Sequence, residues 1–225
     1  MKVGMKYLLA FASAITLSLS AHASAVFTIY DGVNPLISVT DNGPGDSASS
    51  IGAIVVETNV GVWALTINTG VTKPLVGSAT SPVMDINLQA FSTGAGSLTL
   101  TFSDNGFGPA SGIINATATG NTVMGPTATA SMSVWGDQGN VVGAQTVPIA
   151  SMPPTPLSFL YQTTSGPMNL NAPFSLTEVA TINASGATLV NLDASFNMTS
   201  VPEPGMAALG ALGLGGWILA RRRRA

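Results

Sequence analysis

The chain contains no cysteine, and its one histidine, His22, stands near the N-terminus. Without cysteine it can form no disulfide, no thiolate metal site and no thiol nucleophile. Residues 26–200 also lack histidine, which is the commonest general base and a usual zinc ligand. The sequence therefore argues against a zinc site or a Ser-His-Asp arrangement in that stretch, and we expect no cofactor.

Charge is scarce, at 8% of residues against about 25% in an ordinary soluble domain. Lys73 is the only lysine or arginine between residues 26 and 200. The same stretch contains nine acidic residues, so its formal net charge is −8. Because phosphate backbones are bound through lysine and arginine, this composition argues against nucleic acid as a partner. The hydrophobic content of 46% is too high for a disordered chain, so a folded core is expected.

The N-terminus has the parts of a secretory signal peptide. Two lysines form a positive region, and an apolar run from Tyr7 to Leu19 follows. Ala-x-Ala sites for signal peptidase end at Ala23 and at Ala25. We expect cleavage after Ala25, because a strand-like segment begins at Val26. Residues 1–25 are thus predicted to be a signal helix, with an uncleaved anchor as the alternative.

The C-terminus joins an uncharged segment to a cluster of arginines. Residues 205–220 carry no charge, and Arg221, Arg222, Arg223 and Arg224 follow them. A helix of that length would be roughly 24 Å long, somewhat less than the roughly 30 Å hydrocarbon core of a bilayer. The positive-inside rule would keep the arginines in the cytoplasm as a membrane stop. A short transmembrane helix is therefore predicted over residues 205–220.

Val201, Pro202, Glu203 and Pro204 stand directly before this segment. Together with the Gly- and Ala-rich span and the arginines, they resemble the PEP-CTERM sorting signal of Gram-negative bacteria. The resemblance covers residues 201–225 only. It implies recognition, and cleavage near Pro-Glu-Pro, by an exosortase, a membrane-embedded transpeptidase-like enzyme, in a host that makes exopolysaccharide or biofilm matrix. A plain tail anchor, which needs no Pro-Glu-Pro, is the alternative.

Between residues 26 and 200, apolar and polar residues alternate repeatedly. The alternating stretches are 84–89, 98–103, 127–134 and, with some slippage, 189–196. This period is typical of strands with one face on a core and one face in water. Turn-forming residues such as Asp104-Asn105-Gly106 separate the stretches. We therefore predict an all-β domain, a single β-sandwich or jelly roll, over residues 26–200.

A proline-rich run, Met152 to Pro156, interrupts the later part of this pattern. Because proline cannot donate a ladder hydrogen bond, the run is predicted to be a stiff crossover between sheets. A linker between two small subdomains is the alternative. The segment from Phe174 to Ile182 is predicted to be a further strand.

Carboxylates are the first candidates for chemistry, since glycoside hydrolysis needs two facing carboxyl groups. By residue type the candidates are Glu57, Asp85, Glu178 and Asp193. We expect Asp85 and Glu178 to face water as solubilising strand charges, and nothing in the sequence pairs them. An Asp/Glu-based polysaccharide hydrolase is the second alternative function, and the expectation is that the domain is not an enzyme.

A calcium site is a candidate in one glycine-rich loop. Asp41, Asn42 and Asp46 supply the oxygen ligands that calcium prefers. Their spacing matches neither the EF-hand loop nor the nonapeptide repeat. Asp and Asn are also ordinary turn residues, because their side chains bond to their own backbone.

Sugar contacts in proteins often involve an exposed aromatic ring. Trp135 and Tyr161 are the candidates here, and Trp135 stands at the end of an alternating stretch next to a turn. Trp63 lies in a more continuously apolar stretch and is predicted to pack in the core. These rings are the basis for the first alternative function, a carbohydrate-binding module for exopolysaccharide.

The two targeting segments and the lack of His and Cys predict a non-enzymatic envelope, biofilm or extracellular-matrix protein. It would cross the inner membrane of a Gram-negative bacterium and be anchored transiently by its C-terminal helix. It would then reach the outer surface or the matrix. The expected partners are signal peptidase, the exosortase and, on the first alternative, exopolysaccharide.

Overall fold

The computed structural model describes residues 25–170 and 173–200. The signal helix predicted over residues 1–25, apart from Ala25, and the transmembrane helix predicted over residues 205–220 lie outside these ranges. Within them every regular element is a strand, and the strands form two sheets in a sandwich-like arrangement. No helix in the described part of the chain could cross a membrane. The all-β class predicted from the alternation is confirmed.

The strands are numbered in chain order. They are β1 Val26–Tyr30, β2 Ile37–Thr40, β3 Ala53–Val55, β4 Thr58–Val60, β5 Trp63–Val71, β6 Val83–Ser92, β7 Gly96–Phe107, β8 Ala110–Met124, β9 Thr129–Asp137, β10 Val147–Pro156, β11 Ser158–Thr164, β12 Met168–Leu170, β13 Phe174–Ala184 and β14 Thr188–Ser200. One sheet has the order β10-β9-β13-β7-β1-β2. The other has the order β11-β8-β14-β6-β5-β3, with β12 paired to β8 and β4 paired to β5.

The core lies between the sheets and is filled by the apolar side chains that alternate along the strands and point inward. On β7, Leu98, Leu100 and Phe102 are fully buried while the threonines between them are half-buried on the outer face. The same alternation holds on β6, on β9 as far as Trp135 and on β13 from Glu178 onward. Trp63 is also buried, and its Nε1 donates a hydrogen bond to the Ser97 carbonyl at 3.0 Å. Its predicted place in the core is confirmed.

The slippage expected near residue 189 is not a break in β14. The pairing of β14 with β8 shifts between Leu189 and Val190, but the extra residue, Val123, belongs to β8. On β14 the even-numbered residues from Thr188 to Met198 all face the core, and Phe196 is fully buried. Leu189 is half-buried on the opposite face, so it does not belong to the buried set.

The proline-rich run corrects a prediction. Met152 to Pro156 forms neither a crossover nor a linker, because it belongs to β10 at an edge of the six-stranded sheet. Its pairing with β9 shifts between Met152 and Thr155. Prolines are tolerated at a sheet edge, where one side of the strand needs no ladder hydrogen bonds.

Both ends of the described domain lie at the same end of the sandwich. Val26, the first residue of β1, pairs with Ser103 in the second half of β7. Ser200, the last residue of β14, pairs with Gly112 at the beginning of β8. Because only two residues separate β7 from β8, these two pairings lie close to one end of the molecule, which we call the terminal end.

Candidate functional site

The last strand runs directly into the predicted sorting motif. β14 is paired with β8 to its end at Ser200, whereas on the other side its pairing with β6 ends at Asn197 and one further bond runs from the Met198 amide to the Pro82 carbonyl at 3.0 Å. Val201 is the next residue in the sequence. Residues 201–204, the arginines 221–224 and Ala23 lie outside the described residues. No sequence spacer separates the sandwich from the motif.

A shallow polar groove crosses the outer face of the eight-stranded sheet, and we call it the amide groove. It has a volume of about 420 Å³, and its polar lining residues are Asn87, Gln89, Thr119, Asn121, Asn191 and Asp193. Strand register places these side chains in two rows. Asp193 stands between Asn87 and Thr119 in one row, and Asn191 stands between Gln89 and Asn121 in the other.

Side-chain hydrogen bonds order the amide groove. Gln89 Nε2 donates to Asn191 Oδ1 at 3.1 Å, and Asn87 Nδ2 donates to Asp193 Oδ2 at 3.2 Å. An amide carries two N–H donors and two acceptor lone pairs, so these contacts use only part of its capacity. The groove therefore presents alternating donors and acceptors with a single carboxylate, a surface suited to an uncharged ligand rich in hydroxyl groups.

The only cation of residues 26–200 lies inside the domain. Lys73 is 4% exposed, and its Nζ lies 2.7 Å from Asp104 Oδ2 and 4.2 Å from the centroid of the Phe107 ring. The same carboxylate accepts hydrogen bonds from Thr72 Oγ1 at 3.0 Å and from the Asn105 amide at 2.8 Å. Burial raises the pKa of Asp104, and Lys73, Thr72 and the Asn105 amide oppose that rise.

Glu178 overturns an expectation, because it does not face water. It is fully buried on the inner face of β13, between Phe102 of β7 and Val134 of β9. Neither carboxyl oxygen has a hydrogen-bond partner within the described residues. Burial, and then the charges of Asp85 and Asp193, hold the pKa of Glu178 well above its ordinary value.

The other candidate carboxylates do not share an open cleft with Glu178. Asp85 is half-buried on β6 in the opposite sheet, and burial together with the charge of Asp193 raises its pKa to about 6. Glu57 is exposed between β3 and β4. General acid-base catalysis on a polysaccharide requires a carboxyl group within hydrogen-bonding reach of the substrate. The buried Glu178 does not meet this requirement.

The loop proposed for calcium uses its carboxylates to bond its own backbone. Asp41 accepts hydrogen bonds from Asn42 Nδ2 and the Gly52 amide, and Asp46 accepts them from the amides of Asn42, Ala48 and Val55. In residues 25–170 and 173–200, no group of three or more acidic, His or Cys side chains has a metal-binding arrangement. The calcium site stays a prediction.

The two candidate sugar platforms lie on different sheets. Trp135 is half-buried on β9 of the six-stranded sheet, with Nε1 donating to Ser133 Oγ at 2.8 Å. Tyr161 is half-buried on β11, and its hydroxyl donates to the Ser151 carbonyl of β10 at 2.8 Å. The two side chains therefore bond to Ser133 and Ser151, which are cross-strand partners, and neither ring lines the amide groove.

Sequence reasoning missed both the amide groove and the inward position of Glu178. The signal for Glu178 was its phase, since Leu176, Ala180 and Ile182 share its face of β13. The groove could have been suspected from Asn87 and Gln89, two amide side chains at solvent-facing positions of β6. What no alternation could give is which strands are neighbours, because β6 and β8 meet only through β14, about 100 residues later than β6.

Comparisons with solved structures find only distant similarities. TmCBM61, solved with β-1,4-galactotriose, has a TM-score of 0.35 at 7% identity and covers 61% of this chain and 88% of its own. The enzymatically active domain of bacteriophage CBA120 tailspike protein 4 has a TM-score of 0.28 at 14% identity, and the match covers 63% of this chain but 20% of the tailspike. Similarities at this level carry no functional argument.

A third solved structure, the Arthrobacter globiformis T6 isomalto-dextranase with panose, has a TM-score of 0.25 at 15% identity and is covered over 30% of its length. Among curated proteins, no significant match is found. The C-terminus gives a direct identification, because residues 200–224 match the family model of the PEP-CTERM protein-sorting motif. This motif implies export and surface sorting by an exosortase. The chain therefore carries a PEP-CTERM protein-sorting motif at residues 200–224.

Proposed function

We propose that the domain over residues 26–200 is a non-enzymatic component of the envelope or extracellular matrix of a Gram-negative bacterium. Signal peptidase removes the leader, the C-terminal helix holds the protein in the inner membrane, and the exosortase cleaves near Pro202-Glu203-Pro204. The observation that carries this proposal is the match of residues 200–224 to the sorting motif, directly after a folded sandwich.

The arrangement of ionisable groups supports a role without catalysis. Lys73 is bound to Asp104 in the interior, and Glu178 is fully buried. Asp41 and Asp46 bond the backbone of their own loop. Ionisable groups that are enclosed in the core or bonded to their own loop are not free to act on an external substrate, which suits a structural or binding role.

The test is the intact mass of the exported protein. In cells that contain the exosortase, the mature protein should lack residues 205–225, and in matched cells without the enzyme it should keep them. Recovery of an intact arginine-ended tail from both strains would show a permanent anchor instead. Hydrolysis of polysaccharide by the purified domain would refute the non-enzymatic assignment.

A second candidate function, binding of a neutral polysaccharide, is favoured by the amide groove. Asn and Gln side chains can donate and accept hydrogen bonds to sugar hydroxyls at once. Because the domain has a net charge of −8 and its single lysine is buried, an anionic polysaccharide would be repelled. The expected ligand is therefore a neutral glycan.

The binding test compares the two outer faces. Replacing Asn121 and Asn191 with alanine should abolish saturable binding to a neutral exopolysaccharide prepared from the host. Trp135→Ala, on the other sheet, is the matched control and should leave binding unchanged. Loss of binding only with Trp135→Ala would assign the site to the six-stranded sheet.

A further inference from the structure

β11 is an open edge of the eight-stranded sheet. It pairs with β8 without a break from Ser158 to Thr164, and no strand within residues 25–170 and 173–200 pairs with its other side. The Ser165 amide continues that ladder with a hydrogen bond to the Ile114 carbonyl at 2.9 Å. Because hydrogen bonding alternates along an antiparallel pair, the odd-numbered residues of β11 bond to β8, and the even-numbered residues turn their N–H and C=O groups outward.

The other edges of the described sheets are closed by devices that natural sheets commonly use. β2 has four residues, and β3, β4 and β12 have three each. The edge of β3 is also covered, because the Val55 amide donates to Asp46 Oδ1 and the Val55 carbonyl accepts from the Ser47 amide, both at 2.9 Å. β10 carries four prolines and two register shifts. β11, by contrast, has seven residues without a proline, a charge or a register shift.

The flank that contains β11 is also the uncharged side of an acidic domain. Asp137 is the only charged residue in positions 105–177, a stretch that includes all of β8 to β12. At the opposite flank, Asp41 directly follows β2, and Glu57 lies between β3 and β4. Like charges repel when two identical surfaces meet. The approach of a second copy of this chain is therefore opposed at β2 and β3 and free of repulsion at β11.

We propose that two copies of the chain pair through β11, in antiparallel orientation about a twofold axis at Tyr161. In this register Leu160 of each copy lies opposite Gln162 of the other, and Ser158 lies opposite Thr164. All four outward-facing residues of each strand then form ladder hydrogen bonds. Leu160 is 69% exposed in the single chain, and in the pair its side chain lies diagonally across from its own copy, within reach of a long side chain.

The pairing joins the two eight-stranded sheets into one, with both outer faces on the same side. The amide grooves of the two copies then share one face, and their β14 strands lie five strand spacings, roughly 24 Å, apart. The pairing depends neither on tail cleavage nor on glycan binding. It can therefore fail while the proposed function stands, and the reverse also holds.

The test makes use of the absence of cysteine from the chain. At the twofold axis the two Tyr161 residues form a non-hydrogen-bonded pair with Cα atoms about 4.5 Å apart, a distance that a disulfide can bridge. Full-length Tyr161→Cys should therefore cross-link in cells under mild oxidation. Thr163→Cys, on the same face of β11, is the matched control, because its two copies are offset by four residues, or roughly 13 Å. Non-reducing gels should show cross-linking at least about tenfold faster at position 161.

A proline substitution tests whether the contact is a ladder. Gln162 turns its N–H away from β8, so Gln162→Pro removes no ladder hydrogen bond within its own chain. In the Tyr161→Cys background it removes two hydrogen bonds of the symmetric pair and should slow cross-linking roughly thirtyfold. Gln162→Ala keeps the N–H and should leave the rate unchanged. Resistance to protease equal to that of the parent shows that the proline variant is folded.

Two comparisons decide the proposal. Fast cross-linking at position 161 that Gln162→Pro suppresses and Gln162→Ala does not would support the pairing. Equal rates at positions 161 and 163 would overturn it, and this is the result expected if β11 binds a different protein. A rate at position 161 that a folded Gln162→Pro leaves unchanged would also overturn it. The comparison of positions 161 and 163 decides the question even if the proline variant is degraded.

Discussion

Asp104 and Glu178 occupy neighbouring strands of one sheet, but their carboxyl groups differ in the hydrogen-bond partners that surround them. Both side chains are fully buried, and Leu176, two residues before Glu178, pairs with Asp104. Asp104 meets Lys73 and two further donors, whereas neither oxygen of Glu178 has a partner in the described structure. One carboxyl group is built into a polar network, and the other is only enclosed.

The difference teaches that burial alone does not decide the effect of a charge on stability. A buried ion is tolerated when its partner and its remaining lone pairs are satisfied. A buried group without partners retains its full desolvation cost and tends to stay neutral. We therefore expect removal of a partner to be most damaging at Asp104 and removal of the carboxyl group to be beneficial at Glu178.

The largest expected effect comes from breaking the satisfied pair. Lys73→Met keeps most of the side-chain volume but leaves Asp104 buried without its cation, and we expect a loss of about 3–5 kcal/mol in the free energy of unfolding. Urea denaturation of the domain over residues 24–200 measures it. The double variant with Asp104→Leu should recover most of the loss, because no unpaired charge remains. Equal losses in the single and double variants would contradict this account.

The second effect should have the opposite sign. Glu178→Met replaces the partnerless carboxyl group by an unbranched apolar chain of similar length, and we expect a gain of about 1–3 kcal/mol at pH 8. The folded state holds a proton that the unfolded state gives up above about pH 4.3. Wild-type stability contributed by this proton is complete below that pH and falls as pH rises toward the raised pKa of folded Glu178.

The pH profile isolates this contribution from the other carboxylates. The unfolding midpoint of the wild type minus that of Glu178→Met should become steadily less favourable between pH 4 and pH 8. Glu178→Gln, a neutral group of the same shape, is the matched control and should show the same pH-dependent difference from the wild type. Parallel profiles for all three proteins would mean that Glu178 finds a partner in solution.

Asp104 and Glu178 also show which features of the fold can be predicted from the sequence. Period-2 alternation correctly predicted the strands around Leu88, Leu100 and Met132, because a sandwich buries one face of each strand. It could have placed Glu178 inside, since that residue shares the phase of Leu176 and Ala180. It could not have found Lys73 as the partner of Asp104, because the pair joins a loop after β5 to the end of β7 across 31 positions.

The same limit applies to the candidate sites. The tail was recognisable because its motif is local in sequence, whereas the amide groove depends on three strands whose order follows from long-range pairing. The edge position of β10 was missed for a related reason. Prolines exclude a central strand, but only the sheet order shows that an edge was available.

A single backbone hydrogen bond at the terminal end should contribute less to stability than the buried Lys73–Asp104 pair. Ala25 is fully buried, and its carbonyl accepts a hydrogen bond from the Asp41 amide at 2.9 Å. Cleavage after Ala25, as predicted from the sequence, would remove this contact, and cleavage after Ala23 would keep it. A domain that begins at Val26 should be about 1 kcal/mol less stable than one that begins at Ser24. Identical denaturation midpoints for the two would show that the contact contributes nothing.

The smallest effect should come from the outer face opposite Glu178. Asp85 and Asp193 lie in the other sheet, and their charges raise the pKa of Glu178 in addition to burial. Asp85→Asn removes a half-buried charge and its repulsion of Asp193, so we expect a gain of about 0.2–1 kcal/mol at pH 8. Because the pKa of Asp85 is about 6, the gain should fade as the pH falls below that value. In the Glu178→Met background the gain should be the same, since a Glu178 that keeps its proton has no charge for Asp85 to repel. A smaller gain in that background would mean that the enclosed carboxyl group is already ionised at pH 8.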